Sequence, residues 1–286
     1  MVDESTSTIK GAIYSDSDLT INGKGSLTVT GAASNAIKSK DGIRILDATI
    51  TITAKKHGIA ANDFINVSGA TLNLTADEDG IHSDNEDNVL LGNVYLVNTN
   101  ITVNAGDDGI NASNTLLIDE GATIDVQKSE EGLDANGSIE INGGTVVVNG
   151  STSGANAALD YDDNAKLNGG TVLFVDNGQM TMGFGSDSSQ AFLMANVQGT
   201  AGATVEVVDS SGKTVASLKA SKSFSTVLIS SQDIKEGEKY TIKVGSNTIT
   251  ATASKQAVNV GGRPGQGGPG GGQPGQGGRP GGRQGR

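Results

Sequence analysis

A short unit, small-apolar-x-small, recurs along this chain and limits what it can fold into more than any other feature. Its clearest copy is Asp108-Gly109-Ile110-Asn111-Ala112. Close copies are Asp79-Gly80-Ile81-His82-Ser83 and Glu131-Gly132-Leu133-Asp134-Ala135. Weaker ones begin at His57, Asn35, Ala157 and Gly11. The small residue stands at 12, 36, 58, 80, 109, 132 and 158, giving steps of 24, 22, 22, 29, 23 and 26. A period near 22 in sequence that reads throughout as strand marks a solenoid.

Each repeat carries two further apolar pieces. One is an alternating pair such as Ile43/Ile45, Ile65/Val67, Leu116/Ile118 or Ile139/Ile141. The other opens on Thr, Ser or Asn, as in Thr49-Ile50-Thr51-Ile52 and Thr71-Leu72-Asn73-Leu74. Period-two alternation puts aliphatics on one side and polar residues on the other. Glycine-rich corners such as Asn22-Gly23, Ser68-Gly69 and Glu120-Gly121 separate the pieces. No rung can bury its apolar side alone, whereas stacked rungs pair in parallel and fill a tube with aliphatics. The expected fold is all-β: a right-handed parallel β-helix of about 22 residues per turn, its seven turns spanning about 34 Å. A calcium-binding nonapeptide β-roll is rejected, because the period is too long and its glycine pattern is absent.

The 29-residue step predicts an insertion within residues 84–93, which would project as a loop beside the most acidic rungs. Residues 9–196 are assigned to the β-helix. Residues 197–256 are assigned to a C-terminal β cap, since a solenoid end exposes apolar cross-section and open edges. Added irregular rungs are one form such a cap could take. Residues 257–286 form a Gly/Pro/Gln/Arg tail that cannot build a core and is expected to be disordered.

Charge is unevenly placed. The formal net charge is −12, yet residues 77–163 hold 18 of the 32 Asp and Glu and only one basic residue, Lys128. Nucleic acid is excluded as a partner of the body, and cations fit it. The absence of cysteine excludes disulfides and thiol chemistry. No apolar run is long enough to span a membrane. Met1 to Thr8 lack the apolar centre of a signal peptide, so either the chain stays inside or its export signal is not part of this sequence.

The acids fall into rows. One position before the small residue stand Asn35, His57, Asp79, Asp108 and Glu131. Two before stand Ser34, Lys56, Glu78, Asp107 and Glu130. Two after stand Lys38, Ala60, His82, Asn111, Asp134 and Asp160, and Asp84 stands four after on the fourth rung. Stacking sets equivalent residues about 5 Å apart. Carboxylates that close repel or take up protons, and a hard cation relieves them. Calcium accepts six to eight oxygens at about 2.3–2.6 Å, whereas magnesium needs a stricter octahedron. Zinc or copper would want His or Cys, and only His57 and His82 exist; each reads as a surface residue. The competing account is a solvated face that deters aggregation.

The rungs Asp77-Glu78-Asp79-Gly80-Ile81-His82-Ser83-Asp84 and Gly106-Asp107-Asp108-Gly109-Ile110-Asn111-Ala112 resemble those of the clostridial family of carbohydrate-binding, polysaccharide-lyase-like β-helix proteins. So does the later stretch from Ala220 to Ser231, followed by Gly237-Glu238-Lys239-Tyr240-Thr241. The resemblance implies secretion to the cell exterior or surface, a fold related to pectate lyases, bound calcium, and binding to plant-wall polysaccharides such as cellulose and pectate. By matched rung it assigns the calcium role to Asp77, Asp79, Asp107, Asp108, Glu130, Glu131, Asp134 and Asp160, and Asp84 joins them from its own row. Lyase chemistry needs an Arg or Lys base beside the calcium. Arg44 lies two rungs below the acids, and Lys128 is followed by Glu130 and Glu131, so cleavage ranks second. A third reading is a fibre or surface-layer protein that self-associates through its solenoid ends or calcium bridges. Ice binding by the Thr rows is disfavoured, because Asp125, Val147 and Leu173 interrupt them.

Overall fold

A computed structural model describes residues 10–85, 87–152 and 156–256. Among these residues there are strands and turns but no helix, and so no helix that could cross a membrane. The tail from 257 onward, for which disorder is expected, lies outside the described residues.

Three parallel sheets form the body of the solenoid. The first stacks Gly11–Ser15, Asn35–Ser39, Ile59–Ala61, Ile81–Ser83, Ile110–Ala112, Leu133–Ala135 and Leu159–Tyr161. The second stacks seven strands from Leu19–Asn22 to Asn164–Leu167, and the third begins at Ser26–Gly31 and reaches Thr171–Asp176. Each strand pairs with its equivalent one turn on, so the seven turns form the expected parallel β-helix.

Register follows the repeat. Ile13, Ile37, Ile59, Ile81, Ile110, Leu133 and Leu159 are successive Cα partners. From Ile37 to Leu159 this interior ladder is fully buried. The small residue before it has a steric reason. A Cβ added at Gly58, Gly80 or Gly109 would stand 2.5–2.6 Å from the carbonyl oxygen of Gly80, Gly109 or Gly132 on the next rung. The corner between second and third strands holds a residue of positive φ on every rung: Gly23, Asp47, Gly69, Asn98, Gly121, Gly144 and Gly170. Glycine adopts it freely, and Asn and Asp are the side chains that tolerate it best.

The insertion falls between Ile81–Ser83 and Asn93–Val97 and leaves both strands in register with their neighbours. Asn85 ties it down: its Oδ1 accepts the amides of Asp87 and Asn88, and its Nδ2 donates to Asp63 at 2.8 Å. Val89 and Leu90 are left exposed at its tip.

The C-terminal part closes the tube with antiparallel pairing rather than with further rungs. Phe224–Ser230 runs antiparallel to Thr171–Asp176, and Leu193–Gly199 then pairs with Phe224–Ser230, extending the third sheet. A separate four-stranded antiparallel sheet holds Thr204–Val208, Thr214–Lys219, Lys239–Val244 and Asn247–Thr252. Phe174, Phe184 and Phe192 plug the end of the tube, with successive ring centroids 5.8 and 5.7 Å apart. The aliphatic stack therefore ends on aromatic surface instead of water.

Candidate functional site

The outward side of the first sheet changes character along its length. Its outward row, in order of pairing, is Tyr14, Lys38, Ala60, His82, Asn111, Asp134 and Asp160. The row before the small residue flanks it and is built as a chain of acceptors. Asn35 Oδ1 accepts the amide of His57 at 3.1 Å, His57 Nδ1 that of Asp79 at 3.3 Å, and Asp79 Oδ1 that of Asp108 at 3.0 Å. That row must therefore carry side chains that accept, which Asn, His and Asp do.

Asp79 and Asp108 are the two most enclosed acids of the face, with 4% and 8% of their surface exposed. Their environments push them in opposite directions. Burial opposes ionisation of Asp79, but contacts with His57, His82 and the Asp108 amide outweigh it and hold the carboxyl well below the usual carboxylate range. Asp108 has no such compensation. Burial and the neighbouring Asp79 push it up to about 8, against a lesser pull from Asn111. Asp134 is pushed up to about 7, chiefly by burial and then by Glu131, Asp160 and Asp162. Asp107 is raised by burial and by Asp79, Glu130 and Glu78. The Asn111 amide bridges two of these acids, donating to Asp108 at 2.9 Å and to Asp134 at 2.7 Å.

The structure brings together part of the acid set read from sequence. Oxygens of Asp108, Glu131 and Asp134 lie within 4.8 Å of one another, as do those of Asp79, Asp107 and Asp108. Two oxygens on opposite sides of one calcium are separated by about 4.8 Å, so both groups are compact enough to share an ion. The donor set fits a hard cation, being carboxylate oxygen throughout. Glu130 stands at the rim, accepting from Ser151 and Asn156. Asp160 is the register partner of Asp134 on the seventh rung. Asp84, at the root of the insertion, lies near Lys38 and offsets part of the burial effect that lowers its pKa. Asp77 is placed apart: it is exposed and ion-paired with Lys55 at 2.8 Å.

His57 and His82, read from sequence as surface residues, are half-buried on this face. His57 and His82 come from adjacent rungs and stack, with ring centroids 4.1 Å apart and planes 8° from parallel. Both Nδ1 atoms face Asp79 Oδ2, at 3.1 Å from His57 and 2.7 Å from His82. The available signal was positional. His57 and Asp79 share the row before the small residue on neighbouring rungs, and His82 is three residues beyond Asp79.

A three-sheet β-solenoid with one face graded from basic to acidic is the class of protein that this geometry defines. A family model described as "Carbohydrate-binding domain-containing protein" matches residues 2–172, more than half of the chain. The chain belongs to this family. No curated protein and no solved structure matches it.

Proposed function

We propose that the protein binds acidic polysaccharide, with polygalacturonate the favoured ligand, through calcium held on the first-sheet face. The carrying observation is the convergence of Asp108, Glu131 and Asp134, two of them with carboxyls raised to the neutral range. Such a group is held at a cost that a hard cation removes. Membership of the carbohydrate-binding family supports the class of ligand. A bare face of this charge repels a polyuronate. Each calcium with open coordination positions reverses the local sign and can accept a uronate carboxylate. Asp107, Glu130 and Asp160 line the approach and complete the acidic surroundings. We infer that the protein acts outside the cell, where calcium modules work at about 0.1–1 mM.

Cellulose fits less well. A neutral glucan stacks on aromatic platforms, and the three tyrosines considered for that role do not form one. Tyr14 and Tyr161 belong to the two ends of the first sheet, and Tyr95 belongs to the second. Tyr95 donates to Asp119, and Tyr161 donates to the Gly183 carbonyl. Neither Arg44 nor Lys38 is placed to serve cleavage. Arg44 is on the second sheet, paired with Asp18 at 2.8 Å and lying over Phe64. Lys38 is partly buried with a lowered pKa, yet it precedes Asn111 by three rungs, about 14 Å. A base must reach the proton that it removes, and that span is too long.

The test is a pull-down on polygalacturonate with calcium and with chelator, using the parent and the Asp108→Asn/Glu131→Gln double variant. Binding that needs calcium and is lost in the variant supports the proposal. Binding that survives both chelation and the double substitution sinks the bridging mechanism. A rise in ultraviolet absorbance from unsaturated product would put cleavage first.

A further inference from the structure

We propose that His57, Asp79 and His82 form a binding site for a borderline divalent metal of the zinc class, distinct from the Asp108, Glu131 and Asp134 cluster further along the face. One nitrogen of each imidazole and one Asp79 oxygen lie within 4.8 Å of one another. Two imidazoles and one carboxylate suit zinc, nickel, copper or cobalt, whereas an all-oxygen cluster suits calcium. The site does not rest on the calcium reading, because its nitrogen donors are of another kind.

Three features besides proximity point to a metal. His82 Nδ1 is buried and makes no hydrogen bond, although Asp79 Oδ2 is only 2.7 Å away. The carboxylate oxygen therefore does not lie where a ring N–H would point. His57 Nδ1 accepts the Asp79 amide at 3.3 Å, and His57 Nε2 faces Glu78 Oε2 at 3.3 Å. A carboxylate on the far nitrogen is the outer contact that metal-binding histidines make. Lastly, His57 Nδ1 stands 3.1 Å from Asp79 Oδ2. Both Nδ1 atoms thus converge on one carboxylate oxygen, an arrangement that positive charge holds together. A proton can serve, and a metal ion replaces it.

The fold holds the donors in place. Asp79 Oδ1 accepts the Asp108 amide at 3.0 Å, which leaves Oδ2 to the imidazoles. His82 extends from Ile81–Ser83, which pairs with Ile59–Ala61 just after His57. A metal lies near the plane of each imidazole that binds it, so the stacked rings must splay, and the long amide contact to His57 must give way. Both side chains are about one-fifth exposed and line a cavity of about 350 Å³ shared with Lys38 and Lys56. The remaining coordination positions would open into that cavity, where the lysines favour an anionic ligand such as a carboxylate.

The chain has only two histidines, so in untagged protein the imidazole C–H proton signals report on this site alone. Chelator-treated protein is titrated with zinc in saturating calcium. Both ring signals should move together and finish at one equivalent. Cobalt should broaden the same two signals and give a visible ligand-field band. His57→Gln and His82→Gln should each weaken zinc at least about tenfold, the size of loss seen even for outer-contact changes. Ring signals that stay put, displacement of zinc by calcium, or full affinity in a folded His57→Gln variant would each overturn the site. Should a variant fail to fold, the ring signals of the parent decide alone.

Discussion

Asp108 and Asp134 are carboxyl groups that the folded chain prefers to keep protonated, whereas Asp79, one rung from Asp108, is kept ionised. The sign of the resulting pH dependence follows from linkage. For the two raised groups, the stabilising contribution is fully present below the unfolded value of 3.8 and is lost as pH rises through about 7 to 8. For Asp79 it is present above 3.8 and lost on acidification below that value. Metal-free protein should therefore melt highest in mild acid, and its midpoint should fall between about pH 5 and 8.5. Calcium should flatten that fall by binding the ionised native cluster. Asp108→Asn should flatten it without calcium, raising stability by at least about 1 kcal/mol more at pH 8.5 than at pH 5. Melting curves across pH, with calcium and with chelator, check both; a metal-free midpoint that rises from pH 5 to 8.5 would contradict the account. At this scale the sequence was half legible. Stacked rows exposed Asp107, Asp108, Glu131 and Asp134 as neighbours, because register alone places them. The burial that separates Asp79 and Asp108 from exposed Asp77 depends on side-chain packing, which residue spacing does not carry.

The rung is the element that makes such rows possible, and its tolerances are narrow. Gly109 has the carbonyl of Gly132 and the methyls of Val126 against the place where a Cβ would go. Gly109→Ala should cost about 1–3 kcal/mol through overpacking. Ile110→Asp should unfold the rod, since it sets an unpaired charge between Ile81 and Leu133. Denaturant melts of the two variants check the register, and parent-like stability in Ile110→Asp would show it to be wrong. The rungs were the most legible part of the chain. Each strand repeats its partner's hydrophobic pattern, so one copy teaches the next. The second strand of the fourth rung, Asn93–Val97, was the exception: the insertion displaces it from the 22-residue spacing, and its place was settled by pairing with Phe64–Ser68. The cap was legible as strands but not as a topology, because antiparallel closure by Phe224–Ser230 leaves no periodic trace.

Over the whole molecule, stacking turns local repetition into a lengthwise gradient. Lys38 and Lys56 stand toward the first rungs, His57 and His82 follow, and the carboxylates occupy rungs four to seven. A linear anionic polymer laid along this face would meet fixed positive charge at one end and bound cations at the other, which is how a rod without a deep pocket can hold a chain. The Phe174, Phe184 and Phe192 plug and the antiparallel cap make the acidic end a closed terminus, so the ligand face lies along the side of the rod. The central claim is that a cation on this side links protein and polyuronate. A crystal of the protein grown with calcium and an oligogalacturonate, with calcium located by anomalous scattering, tests it most directly. The account predicts a calcium peak bound by oxygens of Asp108, Glu131 and Asp134, with a uronate carboxylate among its remaining ligands. A saccharide bound on this face with no calcium between it and these three carboxylates would contradict it.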